Sequence, residues 1–184
     1  MRTSLLSRTA FAAGGLALAL VGGAAAAAPA AAAPVKKTGG AVPASLNLPS
    51  GLKEVTRLFG AGVQVYDCST GGTWVFREPR ALLLRGSQVK GVHFVGPTWV
   101  LRDGSSVTGR VVSNVPAADP SRDIPLLLLR ATPGPGDGKL SDVSYVARLD
   151  PRGGVAPAGP CDAAVTPVAE VPYTSTYAFF APKH

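Results

Sequence analysis

The chain has 184 residues, of which 46% are hydrophobic and 16% are charged, with 22 glycines, 17 prolines and a formal net charge of +7. This length fits one domain with additional segments, and low charge with abundant glycine and proline is typical of short strands joined by tight turns. The basic residues from Arg77 to Arg130 are scattered singly, and the chain has no run of basic residues with interleaved aromatic side chains, so we expect no nucleic-acid partner.

Residues 1–28 are predicted to be a secretory signal peptide. Arg2 and Arg8 give a positively charged start, residues 10–21 are apolar, and the alanine run at 24–28 offers A-x-A cleavage sites. An uncleaved membrane anchor is the alternative interpretation of this stretch. Because no second long apolar segment follows, we expect a secreted, extracellular protein with no membrane span in its mature form.

Residues 29–49 are predicted to form a flexible, Ala/Pro-rich linker, since they lack aromatic side chains and apolar periodicity. The rest of the chain, residues 50–184, is then a single domain. Its first segment, residues 50–60, carries apolar residues at helical spacing, which predicts a short helix; an extended arm is the alternative.

From residue 61 onward the hydrophobic pattern has the two-residue period of β-strands. Hairpins are predicted at residues 69–72 and at Asp103-Gly104, where Asp-Gly favours a type I′ turn. Pro79 is expected to end a strand, and the apolar run 124–131 predicts a strand that is buried on both faces.

Later in the chain, residues 140–149 alternate clearly. Tyr145, Ala147 and Leu149 share one face of this predicted strand, and Arg148 lies on the opposite, polar face. Counting the segments gives about eight strands, which predicts an all-β domain built as an antiparallel β-sandwich, with a partly closed β-barrel as the alternative.

Cys68 and Cys161 are the two cysteines of the chain. An even count in an exported protein favours pairing, so we predict a disulfide between them; two free buried thiols are the alternative. Closing a loop of this length restricts the unfolded chain by roughly 4–5 kcal/mol of free energy.

Recognised catalytic and cofactor motifs do not occur in the sequence. His93 and the terminal His184 are the only histidines, too few for a three-histidine metal site, so we predict no metal and no cofactor. No G-x-S-x-G nucleophile motif is present, and the glycine-rich segment at 134–141 has Leu140 where a phosphate-binding loop needs Ser or Thr. We assign no catalytic residue, and the sequence favours a non-enzymatic protein.

The remaining candidates for ligand binding are Tyr66, Trp74, His93 and Trp99. Aromatic side chains on one face of a β-sheet can stack against sugars or other flat ligands. In the alternative interpretation, both tryptophans are core residues and His93 is a hydrogen-bonded structural residue.

These segments, in this order, resemble those of a family of exported proteins of unknown function, domain-of-unknown-function family 3455. The matching segments are GVQVYDC at 62–68, HFVGPTW at 93–99, DGSSVTG at 103–109, IPLLLL at 124–129 and VPYTSTYAFF at 171–180. The chain departs from the family pattern at Leu126, Ala147 and Pro151. The resemblance implies secretion and an all-β domain, and it brings no catalytic residues because none is established for the family.

These expectations together favour an exported binding or interaction module that acts at the cell envelope or in the medium. Its expected partner is an extracellular glycan, a polysaccharide above all, or another component of the cell envelope. Two alternatives stay open: a secreted, hydrolase-like enzyme with an unrecognised site around His93, and a purely structural envelope protein.

Overall fold

The computed structural model describes residues 40–183; the predicted signal peptide at 1–28 and the first part of the predicted linker lie outside this range. Among the described residues, no helix has the length and apolar character that a membrane crossing requires. One turn of 3-10 helix, Ala44–Leu46, precedes eight strands. The strands are β1 (Leu52–Cys68), β2 (Trp74–Arg85), β3 (Gln88–Phe94), β4 (Thr98–Leu101), β5 (Ser106–Val115), β6 (Leu126–Pro133), β7 (Tyr145–Gly153) and β8 (Val168–Pro182).

Each strand pairs antiparallel with the next one along the chain, and β8 pairs with β1, so that a single sheet closes into a barrel. The closing pair runs from Leu52 opposite Pro182 to Asp67 opposite Val168. The predicted antiparallel all-β fold of about eight strands is therefore confirmed. The strands form one closed sheet, as in the barrel alternative, and not the two sheets of a sandwich. The sheet closes because the long first and last strands pair with each other and leave no free edge.

The predicted helix at residues 50–60 is wrong, because β1 already begins at Leu52. Burial alternates along this stretch, with Thr56, Leu58 and Gly60 facing inward. Pairing with β8 along the whole stretch, joined by pairing with β2 from Phe59 onward, overrides the local helical spacing of the apolar residues.

Two finer predictions are also corrected. β2 continues through Pro79, because the pairing with β3 ends at Ala81 and proline is tolerated where a strand lacks a neighbour on one side. The hairpin at Asp103-Gly104 is present, but only the glycine has a positive φ, at 88°, so the turn is not type I′.

The end of the predicted linker packs against the outside of the barrel. Leu46 is fully buried there in a cluster with Leu128 of β6 and Phe180 of β8. On the other face of β6, Leu129 and Ala131 belong to the interior cluster. The leucine-rich part of β6 is thus covered on both faces, as predicted, and the folded unit begins before residue 50.

The main core lies inside the barrel and includes Leu83, Val107, Trp99, Val146 and Phe179. Near one end of the barrel, a disulfide joins Cys68 at the end of β1 to Cys161 in the connection between β7 and β8, with 5.8 Å between the Cα atoms. The predicted disulfide is confirmed.

Candidate functional site

A cavity of about 230 Å³ opens at the end of the barrel where β1 ends and β2 begins. Buried side chains of Gln64, His93, Trp99, Leu129 and Tyr177 form its floor, together with the partly buried Arg148. Exposed residues, Phe76, Arg77, Gly96 and Val111, form its rim. Eight-stranded barrels enclose a space that side chains fill or that holds one small ligand.

His93 and Trp99 face each other across β3 and β4, with ring centroids 4.4 Å apart and planes within 3° of parallel. Burial lowers the pKa of His93 to about 4, opposed by its hydrogen bond with the Thr98 carbonyl and assisted by the charge of Arg148. The imidazole is therefore neutral at pH 7. It donates from Nδ1 to the Thr98 carbonyl oxygen, 2.9 Å away, and Nε2 carries the lone pair.

Arg148 extends from β7 into the barrel, close to three tyrosines. Its Nε donates a hydrogen bond to the carbonyl oxygen of Pro125 at 3.0 Å. Burial lowers the pKa of the guanidinium, and Tyr177 most strongly opposes that effect. Burial also raises the pKa values of Tyr173 and Tyr177, whose hydroxyl oxygens lie 3.0 Å apart. At neutral pH this interior region therefore combines one cation with neutral phenols.

Two of the four predicted binding residues, His93 and Trp99, line the cavity together. Trp99 is 1% exposed, and one face of its ring is covered by His93, so it packs as a core residue. Trp74 lies opposite Cys68 at the start of β2, and it is not among the cavity-lining residues of the described chain.

Tyr66, the fourth predicted residue, is held by its neighbours. Its hydroxyl donates to the carbonyl oxygen of Gly154 at 2.6 Å, and its ring meets the edge of Phe76 with 5.7 Å between centroids. Burial raises the pKa of Tyr66. This tyrosine therefore supports the wall of the barrel next to the cavity through Phe76.

Leu129 and Tyr177 were not predicted as site residues, and neither were two polar residues of the floor, Gln64 and Arg148. In the alternating pattern both occupy polar positions, which predicts solvent exposure. Gln64 is instead 2% exposed. In β7 the face predicted to be polar is the one that points into the barrel. Val146 belongs to the interior cluster, while Ala147 and Leu149 pack outward in the cluster around Leu46, so Arg148 lies on the inner face.

Three donor groups on the cavity floor lack either a hydrogen-bond acceptor or a carboxylate partner. Gln64 Nε2 and Trp99 Nε1 are buried and have no hydrogen-bond acceptor among residues 40–183. The guanidinium of Arg148 forms no ion pair with any carboxylate in the same part of the chain. Buried polar groups in folded proteins are nearly always satisfied, so donors without an acceptor in a cavity lining point to a bound partner. Two hydroxyl groups outside the lining, those of Ser144 and Thr176, also lack a hydrogen-bond partner among residues 40–183.

The composition of the lining limits the chemistry of the site. Within the described chain, no serine, threonine, cysteine, aspartate or glutamate lines this cavity. The described residues also contain no group of three or more His, Cys, Asp or Glu side chains that could hold a metal ion. The arrangement can donate hydrogen bonds and provide a positive charge beside apolar surface.

Comparison with known proteins identifies one family for this chain. The model of the family described as "Protein of unknown function (DUF3455)" matches residues 49–181. No curated protein and no solved structure matches the chain. The family match spans nearly the whole barrel and includes every residue that lines the cavity.

Proposed function

The chain belongs to the DUF3455 family of proteins of unknown function, and from its structure we propose that it is an exported binding module that takes one small molecule into the open end of its barrel. The observation that carries this proposal is the cavity of about 230 Å³ above Gln64, His93 and Trp99. An apolar cavity of roughly 150 Å³ is large enough for benzene, so this one has room for a single ring with a substituent.

The two ends of the barrel differ in the residues that line their openings. Toward the hairpin between β2 and β3, a cavity of about 200 Å³ is lined largely by charged side chains, among them Arg85, Lys90 and Lys139. The opposite end combines a polar floor with an apolar rim that includes Phe76 and Val111. A concave apolar site with a few convergent polar groups is the usual composition of a small-molecule site.

Export is part of the proposal. The disulfide between Cys68 and Cys161 suits an oxidising compartment outside the cytoplasm. The charged start and apolar centre of residues 1–28 fit the pattern of a signal peptide. Both features support a protein that meets its ligand at the cell envelope or in the medium.

The lining favours binding over catalysis. His93 uses Nδ1 for the Thr98 carbonyl, and the described lining offers no serine, threonine or cysteine nucleophile for it to activate. A hydrolase centred on His93 therefore has less geometric support than a binding site. A glycan ligand would have to contact the exposed rim at Phe76, since Trp99 is covered, so a small molecule fits the cavity better.

A matched pair of variants on β5 tests the proposal. Val111 lines the cavity and Val112 lies outside it, and the two side chains are 46% and 47% exposed. We expect saturation-transfer NMR with a library of single-ring compounds to find ligands of the unmodified protein. Val111→Phe should weaken them by about tenfold or more, and Val112→Phe should leave their affinity unchanged. A library without any binder, or equal weakening by both variants, would refute the proposal.

A further inference from the structure

The positive charge in the cavity floor is the starting point for identifying the ligand class. The ion-paired arginines of the described chain are Arg57, Arg77, Arg80, Arg122 and Arg152. Arg148 is partly buried in the barrel; it donates a hydrogen bond to the Pro125 carbonyl and lies against the neutral phenol of Tyr177, but no carboxylate among residues 40–183 pairs with it. A cation removed from water without an anionic partner is unfavourable, so an anion supplied from outside would stabilise this arrangement.

Two polar atoms near Arg148 are hydrogen-bond donors, as its guanidinium is. Gln64 Nε2 and Trp99 Nε1 are both donors without an acceptor among residues 40–183, and both residues line the cavity with Arg148. A ligand with acceptor oxygens could satisfy them. Because the surrounding tyrosines are neutral, the floor carries one unpaired positive charge, which a monoanion balances.

Part of the cavity lining is apolar. Leu127 and Leu129 of β6, Val111 of β5 and Pro97 face the same space. The volume accommodates about one ring beyond the anionic group, by comparison with the roughly 150 Å³ that benzene requires. The ligand therefore combines a charged end with a compact apolar body.

We propose that the cavity binds a small aromatic or branched carboxylic acid, whose carboxylate is held by Arg148 and whose apolar body lies against β5 and β6; this inference rests on the proposed function. The planar guanidinium matches a carboxylate with two parallel hydrogen bonds. Gln64 and Trp99 provide further donors on the floor of the cavity.

Benzoate and its neutral analogue benzamide test this inference. The chain has two tryptophans, so in a Trp74→Phe background the fluorescence of Trp99 reports on the cavity. We expect benzoate to bind about tenfold or more tightly than benzamide at neutral pH, since hydrogen bonds to charged groups are the stronger ones. Arg148→Met should remove this preference, because benzoate loses much more affinity than benzamide when the positive charge is removed.

Arg77→Met is the matched control. Arg77 also lines the cavity, but it already pairs with Asp67 at 2.7 Å and with Glu78 at 3.6 Å, so its loss should leave the preference for benzoate intact. Loss of the preference in Arg77→Met instead of Arg148→Met would overturn the proposal. Circular dichroism of each variant checks that the fold is retained.

The outcomes separate the two proposals. Equal affinity for benzoate and benzamide overturns the carboxylate inference and leaves the binding module standing. No binding of either compound also overturns the carboxylate inference, and the library screen with the β5 variants then decides the binding module separately. The comparison of benzoate with benzamide can be made in protein that retains Arg148, so it does not depend on whether an Arg148 variant folds. Arg148→Lys keeps the positive charge but loses the planar guanidinium, so it should retain only part of the preference for benzoate.

Discussion

His93 donates a hydrogen bond from Nδ1 to the carbonyl oxygen of Thr98, 2.9 Å away, from a side chain that is 3% exposed. The ring is also stacked on Trp99 and lies near the charge of Arg148. This environment tolerates a neutral imidazole and disfavours an imidazolium, because neither burial nor a neighbouring cation stabilises a second positive charge.

We therefore expect the protein to lose stability in mild acid through His93. The pKa of His93 is about 4 in the folded protein and 6.5 in its ordinary state. Since the unfolded chain binds the proton first, this contribution is complete above pH 6.5 and is lost as the pH falls toward 4. The loss amounts to at most about 3 kcal/mol of unfolding free energy. Denaturant unfolding over this pH range measures it.

His93→Phe should remove this part of the pH dependence while retaining an aromatic ring against Trp99. His184→Ala, which changes the other histidine of the chain, should leave it in place. If the unfolding free energy of His93→Phe falls with decreasing pH as steeply as that of the unmodified protein, other groups cause the acid sensitivity. Asp103 and Asp123 also have lowered pKa values, through hydrogen bonds to their carboxylates, and their contribution persists in both variants.

Leu46→Ala should destabilise the domain although residue 46 lies in the predicted linker. The leucine is fully buried against the outer face of β6 and β8, so its truncation leaves a cavity, with an expected loss of about 2–4 kcal/mol of unfolding free energy. Ser45→Ala, at the exposed neighbouring position, should change stability by less than about 0.5 kcal/mol. Equal stability of the two variants in urea would contradict the packing of this segment.

Replacing both cysteines by alanine should lower the unfolding free energy by about 4–5 kcal/mol on the chain-entropy estimate. The bond links residues 93 positions apart, so the unfolded chain gains much freedom without it. Protein unfolded with a reductant present should resemble Cys68→Ala/Cys161→Ala. If oxidised protein and the double variant unfold at the same urea concentration, the disulfide does not stabilise the barrel.

Gly62→Ala should also be destabilising, by about 1–3 kcal/mol, because the added Cβ would collide with backbone. It would meet the Arg80 carbonyl oxygen on the adjacent strand and lie 2.8 Å from Ala81 Cβ. Gly71→Ala is the control, since the nearest atom there, Ser69 Oγ, is 3.7 Å away. Thermal unfolding of the two variants compares them, and equal melting temperatures would contradict the close approach of β1 and β2.

Much of the fold could be predicted locally. Turn chemistry located the hairpins at residues 69–72 and at Asp103-Gly104, and two-residue alternation located most strands. The strand at residues 52–60 could not be found in this way, since its apolar spacing also fits a helix and only pairing with β8 decides between them. Of the candidate site, the sequence identified His93 and Trp99 as chemically distinctive residues. It did not predict that they line one cavity or where that cavity opens.

By itself the sequence determined that this is an antiparallel β domain with one pair of cysteines, because strand periodicity and cysteine number are properties of the chain alone. Only the tertiary structure decided which side of each strand is the inside. Alternation assigns Arg148 and Leu149 to opposite faces of β7, but it does not say which face is enclosed. Because Leu46 covers the outer face of the neighbouring strands, apolar residues pack outward, and Arg148 lies inside the barrel with the cavity above it.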